Sequence, residues 1–160
     1  MAPARIKRTR RGDFLVRLPA AERELLRRVP RELRTLLTEG DPSRDPALRR
    51  LFPPASLEDE RLRAEFERLT RHELLAGRLA AAETMERTAD AGRLSEDELL
   101  AWLSAINDVR LVLGTRLDVT EETTAEDFAE LPEDDERVRM YAVYAYLTFL
   151  EDQVVEALAG

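Results

Sequence analysis

Cysteine is absent from all 160 residues, which excludes disulfide frameworks, thiolate zinc sites, iron–sulfur clusters and thiol redox switches. A single histidine, His72, rules out multi-histidine metal sites and most imidazole catalysis. Aromatic residues make up only 6% of the chain, and among 25 basic residues only Lys7 is a lysine. No apolar run approaches the ~18 residues needed to cross a bilayer, and the amino terminus has no signal-peptide core. These absences predict a cytoplasmic protein with no cofactor, no metal and no membrane partner. Gly-rich phosphate loops, Ser-centred elbows and HExxH patterns are also missing, and no nucleophile has an adjacent base. The expectation is a protein that is not an enzyme.

What is present is charge and helix-forming apolar sequence. Charged residues make up 36% of the chain and apolar ones 44%, enough for one core under a heavily solvated surface. The charge is unevenly spread. Residues 1–35 carry 11 basic and 4 acidic side chains, a local +7, and residues 36–116 carry 12 and 16, a local −4. Residues 117–160 carry 2 and 13, a local −11, which brings the chain to −8. The start of the chain forms a cationic arm of Arg5, Lys7, Arg8, Arg10 and Arg11. It reads either as a solvated tail or a charge-protected edge strand, or as a phosphate-contacting arm that takes DNA as partner.

Period-2 alternation at Phe14, Val16 and Leu18, with Arg11-Gly12-Asp13 as a turn, predicts a short strand paired with Ile6–Arg10. Pro19 suits the first turn of a helix over Ala20–Glu39, which Pro30 should kink or split. Asp45-Pro46 opens a short helix through Leu51 that Pro53-Pro54 ends. A long helix is expected over Glu58–Ala91, with Leu62, Phe66, Leu69, Ala76 and Ala80 as its buried stripe and Glu73 on the same stripe. Leu75, Leu79 and Ala82 form a second row. Ser95 and Glu98 have capping-box spacing for a helix to about Leu113, with Gly114 as its stop. Thr123 and Glu126 repeat that spacing before a short helix at Ala125–Leu131. The last helix should run from Asp134 to Leu158, apolar on more than one face, and so central in the bundle or half buried in a second copy. The fold class is all-α: a basic arm or first hairpin strand over residues 1–13, then a single helical bundle domain over 14–160.

Three groups of residues could carry function. The first is the arm. The second is a polar cluster of Glu73, Asn107, Asp108, Arg110 and Arg116. Here Arg110 occupies the buried slot between Ile106 and Leu113 and is expected to pair with Glu73 or Asp108, as a core ion pair or as an open pocket for a carboxylate or phosphate. The third is Tyr141, Tyr144, Leu147 and Phe149 on the last helix, a surface for a protein partner or a homodimer.

The stretches DPALRRLFPPA (Asp45–Ala55), EFERLT (Glu65–Thr70) and WLSAINDVRLVLGTRL (Trp102–Leu117), with the Tyr146–Leu150 segment, resemble an actinobacterial family of unknown-function proteins that includes the AosR oxidative-stress transcriptional regulators. The resemblance covers most of the chain from Phe14 onward, and Ile106 stands where the pattern has Leu. It implies a transcriptional regulator answering oxidative stress, linked to cysteine biosynthesis and alternative sigma factors. Redox sensing in that family is attributed to a cysteine pair, so a thiol switch does not carry over to this chain. The alternative is an acidic adaptor that binds protein and no nucleic acid.

Overall fold

The computed structural model describes residues 4–53 and 57–160; Pro54 of the expected helix stop and the first three residues of the arm lie outside them. Strands β1 (Ile6–Arg8) and β2 (Phe14–Val16) pair antiparallel, Ile6 opposite Val16, across a turn in which Gly12 takes φ +92°. Helix α1 (Ala20–Glu39) follows, then α2 (Pro46–Arg49) and α3 (Glu60–Thr88). Strand β3 (Arg93–Leu94) adds to β2 with Phe14 opposite Leu94, giving the order β1-β2-β3. The chain ends with α4 (Glu96–Arg116), α5 (Glu126–Ala129) and α6 (Glu136–Ala159). The class is all-α with a small amino-terminal sheet, as expected; the third strand was not anticipated.

Local chemistry sets most boundaries. Asp45 caps α2 through the Ala47 amide, Asp59 caps α3, and Asp135 caps α6. Ser95 and Glu98 form the reciprocal capping box of α4. Four boundary expectations need correction. Helix α1 runs unbroken through Pro30, which is itself buried beside Leu26, Val29 and Leu33. Gly114 lies inside α4, with the Tyr144 ring 3.6 Å from where its Cβ would stand, and the chain turns at Asp118 with φ +53°. Thr123 does not form a box with Glu126; its hydroxyl accepts from the Thr120 amide, while Asp127 reaches back to Thr124. Helix α6 is not central. Helix α4 holds that place, packed against α3, α6, α2 and α1.

The core gathers around α4. Trp102 is fully buried, and its indole donates to Thr88 Oγ1 at 2.7 Å, which in turn donates to the Thr84 carbonyl. Phe14, Leu26, Leu48, Met85, Leu99, Leu147 and Leu150 are fully buried around it. The stripe expected to bury α3 faces the other way: Leu62, Phe66 and Leu69 are 60%, 53% and 61% exposed, and Glu73, Ala76 and Ala80 are exposed with them. The side that packs carries Leu75, Leu79, Ala82 and Met85, where alanines let α1 and α4 approach closely.

One guanidinium ties sheet, α1 and the α3–β3 connection together. Arg23 Nε donates to Leu18 O at 3.1 Å, one terminal nitrogen donates to Ala89 O and Ala91 O at 3.0 and 2.9 Å, and the other donates to Val16 O at 3.1 Å. Replacing Arg23 by Met strands four carbonyls and should lower unfolding stability by about 3 kcal/mol. Arg23→Lys should recover less than half of that loss, because an ammonium cannot fork to four acceptors. Urea denaturation of the two variants reads both effects, and full recovery by Lys would contradict the bracing role.

Candidate functional site

The cationic arm is folded into β1 and the turn after it, and its charges divide into two kinds. Arg5 is committed inward: its amide donates to Gln153 Oε1 at 3.0 Å, its guanidinium lies 3.4 Å from Glu22, and it stands 5.9 Å from the Phe149 ring. Arg8 donates to Leu158 O at 3.0 Å and lies 4.7 Å over the Phe14 ring. Lys7, Arg10 and Arg11 are exposed, with no side-chain partner among the described residues. The turn that carries Arg10 and Arg11 is braced, since Thr9 Oγ1 and Arg93, at 3.3 Å, both bond the Asp13 carboxylate. The Thr9 hydrogen bond, then Arg93, hold that carboxyl below its ordinary value.

The polar cluster does not assemble as expected. Arg110 turns to α6, where Nε donates to Thr148 Oγ1 at 3.0 Å, a terminal nitrogen donates to Glu151 at 2.8 Å, and the guanidinium lies 5.3 Å from the Tyr144 ring. It meets neither Glu73, on the outward face of α3, nor Asp108, because α4 presents residues 108 and 110 to different neighbours. Asn107 is exposed and closes no helix end. Arg116 bonds Asp45 at 3.0 Å and ties α4 to the cap of α2. Asp108, 1% exposed, pairs with Arg78 of α3, whose Nε also donates to Leu51 O at 3.1 Å. The sequence reading missed Arg78, although it lies between Leu75 and Ala82 on the second row of α3. Asp108, Arg110 and Arg116 thus form ion pairs in three separate places, and none of the cluster presents a free base beside a nucleophile among the described residues.

The aromatic surface expected on α6 is mostly spent inside the chain. Leu147 is fully buried, so it is not available to a partner in this fold. Tyr141 stacks on Phe128 at 4.4 Å, and Tyr144 lies under Arg110. Phe149 remains 42% exposed. A groove of about 470 Å³ between α1, α4 and α6, floored by Val29, Leu33, Val112 and Met140 with Arg139 on its rim, was not foreseen. Its residues come from three separate segments, and only the tertiary fold joins them.

Burial pushes the Asp108 carboxyl above its ordinary 3.8, against the pull of Arg78. The folded state therefore binds this proton more readily than the unfolded chain. The contribution is fully present below 3.8 and is lost as pH rises through the raised value. Relative to Asp108→Asn, the wild type should gain stability as pH falls through that window, as denaturant titrations at a series of pH values would show. Near neutrality Asp108→Ala should cost about 3 kcal/mol by stranding Arg78, whereas Asp108→Leu with Arg78→Met should restore most of it.

Comparison with known proteins places the chain. The family model described as "Domain of unknown function (DUF2017)" matches residues 1–158. Proteins named "Oxidative stress regulator AosR" from Mycobacterium bovis and Mycobacterium tuberculosis are 32% identical over 133 residues, covering 72% of this chain and 59% of theirs. The chain thus spans about three-fifths of the length of these relatives. No solved structure matches. Among the described residues no helix is long and apolar enough to cross a membrane. With its whole length matched by the family model, this chain is a cysteine-free member of the DUF2017 family, to which its AosR-like motifs had pointed.

Proposed function

We propose that this chain is a non-enzymatic regulator of the oxidative-stress type that contacts DNA through the braced turn of its amino-terminal hairpin, without a thiol switch. The regulatory class rests on the name its relatives carry; no enzyme family is indicated by the comparisons. The observation that supports the mode of contact is the division of the arm: Arg5 and Arg8 are consumed internally, while Lys7 on β1 and Arg10 and Arg11 on the turn after it stay exposed without a side-chain partner among the described residues, the turn being held by Thr9, Asp13 and Arg93. A pre-ordered cationic turn loses little entropy on meeting phosphates. Three charges support non-specific affinity and registration on the backbone; they do not read sequence.

A second reading is a protein-binding adaptor. It is favoured by the −11 balance of residues 117–160 and the exposed Glu121, Glu122, Glu126 and Asp127 around α5, which suit a basic protein surface.

Fluorescence anisotropy against GC-rich duplex DNA at two salt concentrations separates the readings. The first expects binding whose log–log salt slope is about −2.7, for roughly three phosphates. The triple variant Lys7→Gln, Arg10→Gln, Arg11→Gln should abolish that binding while changing stability by no more than about 0.5 kcal/mol. Absence of binding at low salt, or binding that the triple variant retains, removes the hairpin from DNA contact and leaves the adaptor.

A further inference from the structure

Among the described residues helix α3 carries an apolar seam that stays exposed, with Phe66 also lining a groove beside Phe52 and Pro53. Leu62, Phe66, Leu69, Glu73, Ala76 and Ala80 follow each other at steps of four and three residues, the alternation of a coiled-coil seam. All six are exposed, whereas the opposite side of the helix packs against α1 and α4. The seam is continuous over five turns, about 27 Å. Three of the seven exposed large apolar side chains among the described residues lie on it, and a fourth, Leu57, lies just before the helix. Contiguous exposure of this kind marks an interaction surface more than scattered single residues do.

We propose that this seam is a homodimer interface in which α3 of two copies pairs antiparallel. Two features select a second copy and that orientation. First, the seam is graded in size: its amino-terminal half is Leu62, Phe66 and Leu69, and its carboxyl-terminal half is Ala76 and Ala80 beside Gly77. Antiparallel pairing sets Leu62 opposite Ala80 and Phe66 opposite Ala76 of the other copy, so bulk meets small residue on both sides of the central Leu69–Glu73 pair and the two ends of the contact are spaced alike. Parallel pairing would set Phe66 on Phe66 and Ala80 on Ala80, and the helices would splay.

Second, the charge at the seam is compatible with only one direction. In parallel register the two Glu73 carboxylates face each other on the axis. In the antiparallel register each Glu73 lies against Leu69 and beside His72 of the other copy, so the like charges are offset. Both gradients are complementary to themselves under a two-fold rotation, which is what an isologous contact requires. A single helix face of this length falls short of the ~800 Å² per partner of a standard stable interface, and Glu73 weakens it further. The dimer is therefore concentration-dependent. This inference does not depend on DNA contact, since the seam and the hairpin turn are separate surfaces.

Sedimentation velocity of the full chain from micromolar to submillimolar concentration tests it. The wild type should pass from monomer to dimer. Leu62→Glu with Leu69→Glu should weaken association at least roughly 100-fold with helicity unchanged, because both side chains are exposed in the monomer. Glu73→Leu should tighten association, a change of sign that loss of folding cannot imitate. The cysteine-free background makes orientation directly readable. On mild oxidation a mixture of Leu62→Cys and Ala80→Cys proteins should form the mixed cross-link, and neither variant alone should cross-link to itself. A wild type that stays monomeric, a dimer that survives the double glutamate substitution, or self-cross-linking of Leu62→Cys would each overturn the proposal.

Discussion

Leu99, Trp102, Ala105, Ile106, Val109 and Val112 spread the apolar surface of α4 over much of its circumference, with Leu103, Leu111 and Leu113 half buried between them. Such a helix gives water chiefly the strip of Glu96, Leu100, Ser104 and Asn107, so other elements must close around the rest. Helix α3 covers one flank, α6 another, and α1 and α2 complete the enclosure. Asp108 is the one charge that α4 buries among the described residues, and it is retained only because Arg78 arrives from α3. The Trp102–Thr88 hydrogen bond fixes the same two helices a few turns away. Packing around α4 thus positions the hairpin, since β3 leads directly into the Ser95 cap of α4 and carries β2 beside it.

The abundance of arginine over lysine has a structural use here. Arg23 braces four carbonyls, Arg49 bonds Pro42 O and Ser43 O, Arg78 joins Leu51 O to Asp108, and Arg8 bonds the carbonyl of Leu158 near the end of α6. Arg23, Arg49 and Arg78 use the planar fork of donors, which an ammonium lacks, while Arg8 bonds through one terminal nitrogen. The field around the amino-terminal region is consequently weaker than a count of cations suggests. The local +7 of residues 1–35 includes Arg5 beside Glu22, Arg27 beside Asp90, and Arg31 and Arg34 on Glu86. Net charge along a sequence says how many guanidiniums exist, not how many still face a partner.

That distinction separates what could be read in advance from what could not. Caps and turns were legible because their causes lie within three or four residues: the Ser95 box, the Asp45-Pro46 start and the Gly12 turn all formed as their spacing required. The facing of α3 was not legible. Its two apolar rows both have helical period, and the heavier row of Leu62, Phe66 and Leu69 looked like core; the lighter one packs because alanines permit close helix approach. Arg110 failed for a related reason. Residues two apart on a helix point about 160° apart, so Arg110 and Asp108 serve different neighbours, and which neighbour stands where is a tertiary fact. The groove between α1, α4 and α6 depends on three segments meeting and left no local signature.

With thiols absent and Asp108 paired with Arg78, three kinds of surface stand out among the described residues: the exposed cations Lys7, Arg10 and Arg11 on the hairpin, an acidic carboxyl-terminal third and an apolar seam on α3. A regulator with a cysteine pair can store its signal as a covalent bond, changing state without any change in concentration. A chain lacking that bond has no such store in its thiol chemistry. Among the described residues its methionines offer little substitute, since Met85 is fully buried and Met140 is half buried in the groove. Under the regulatory reading proposed above, state is set by occupancy, through how much of the protein is present and what its surfaces have met, which is a mass-action response instead of a chemical one.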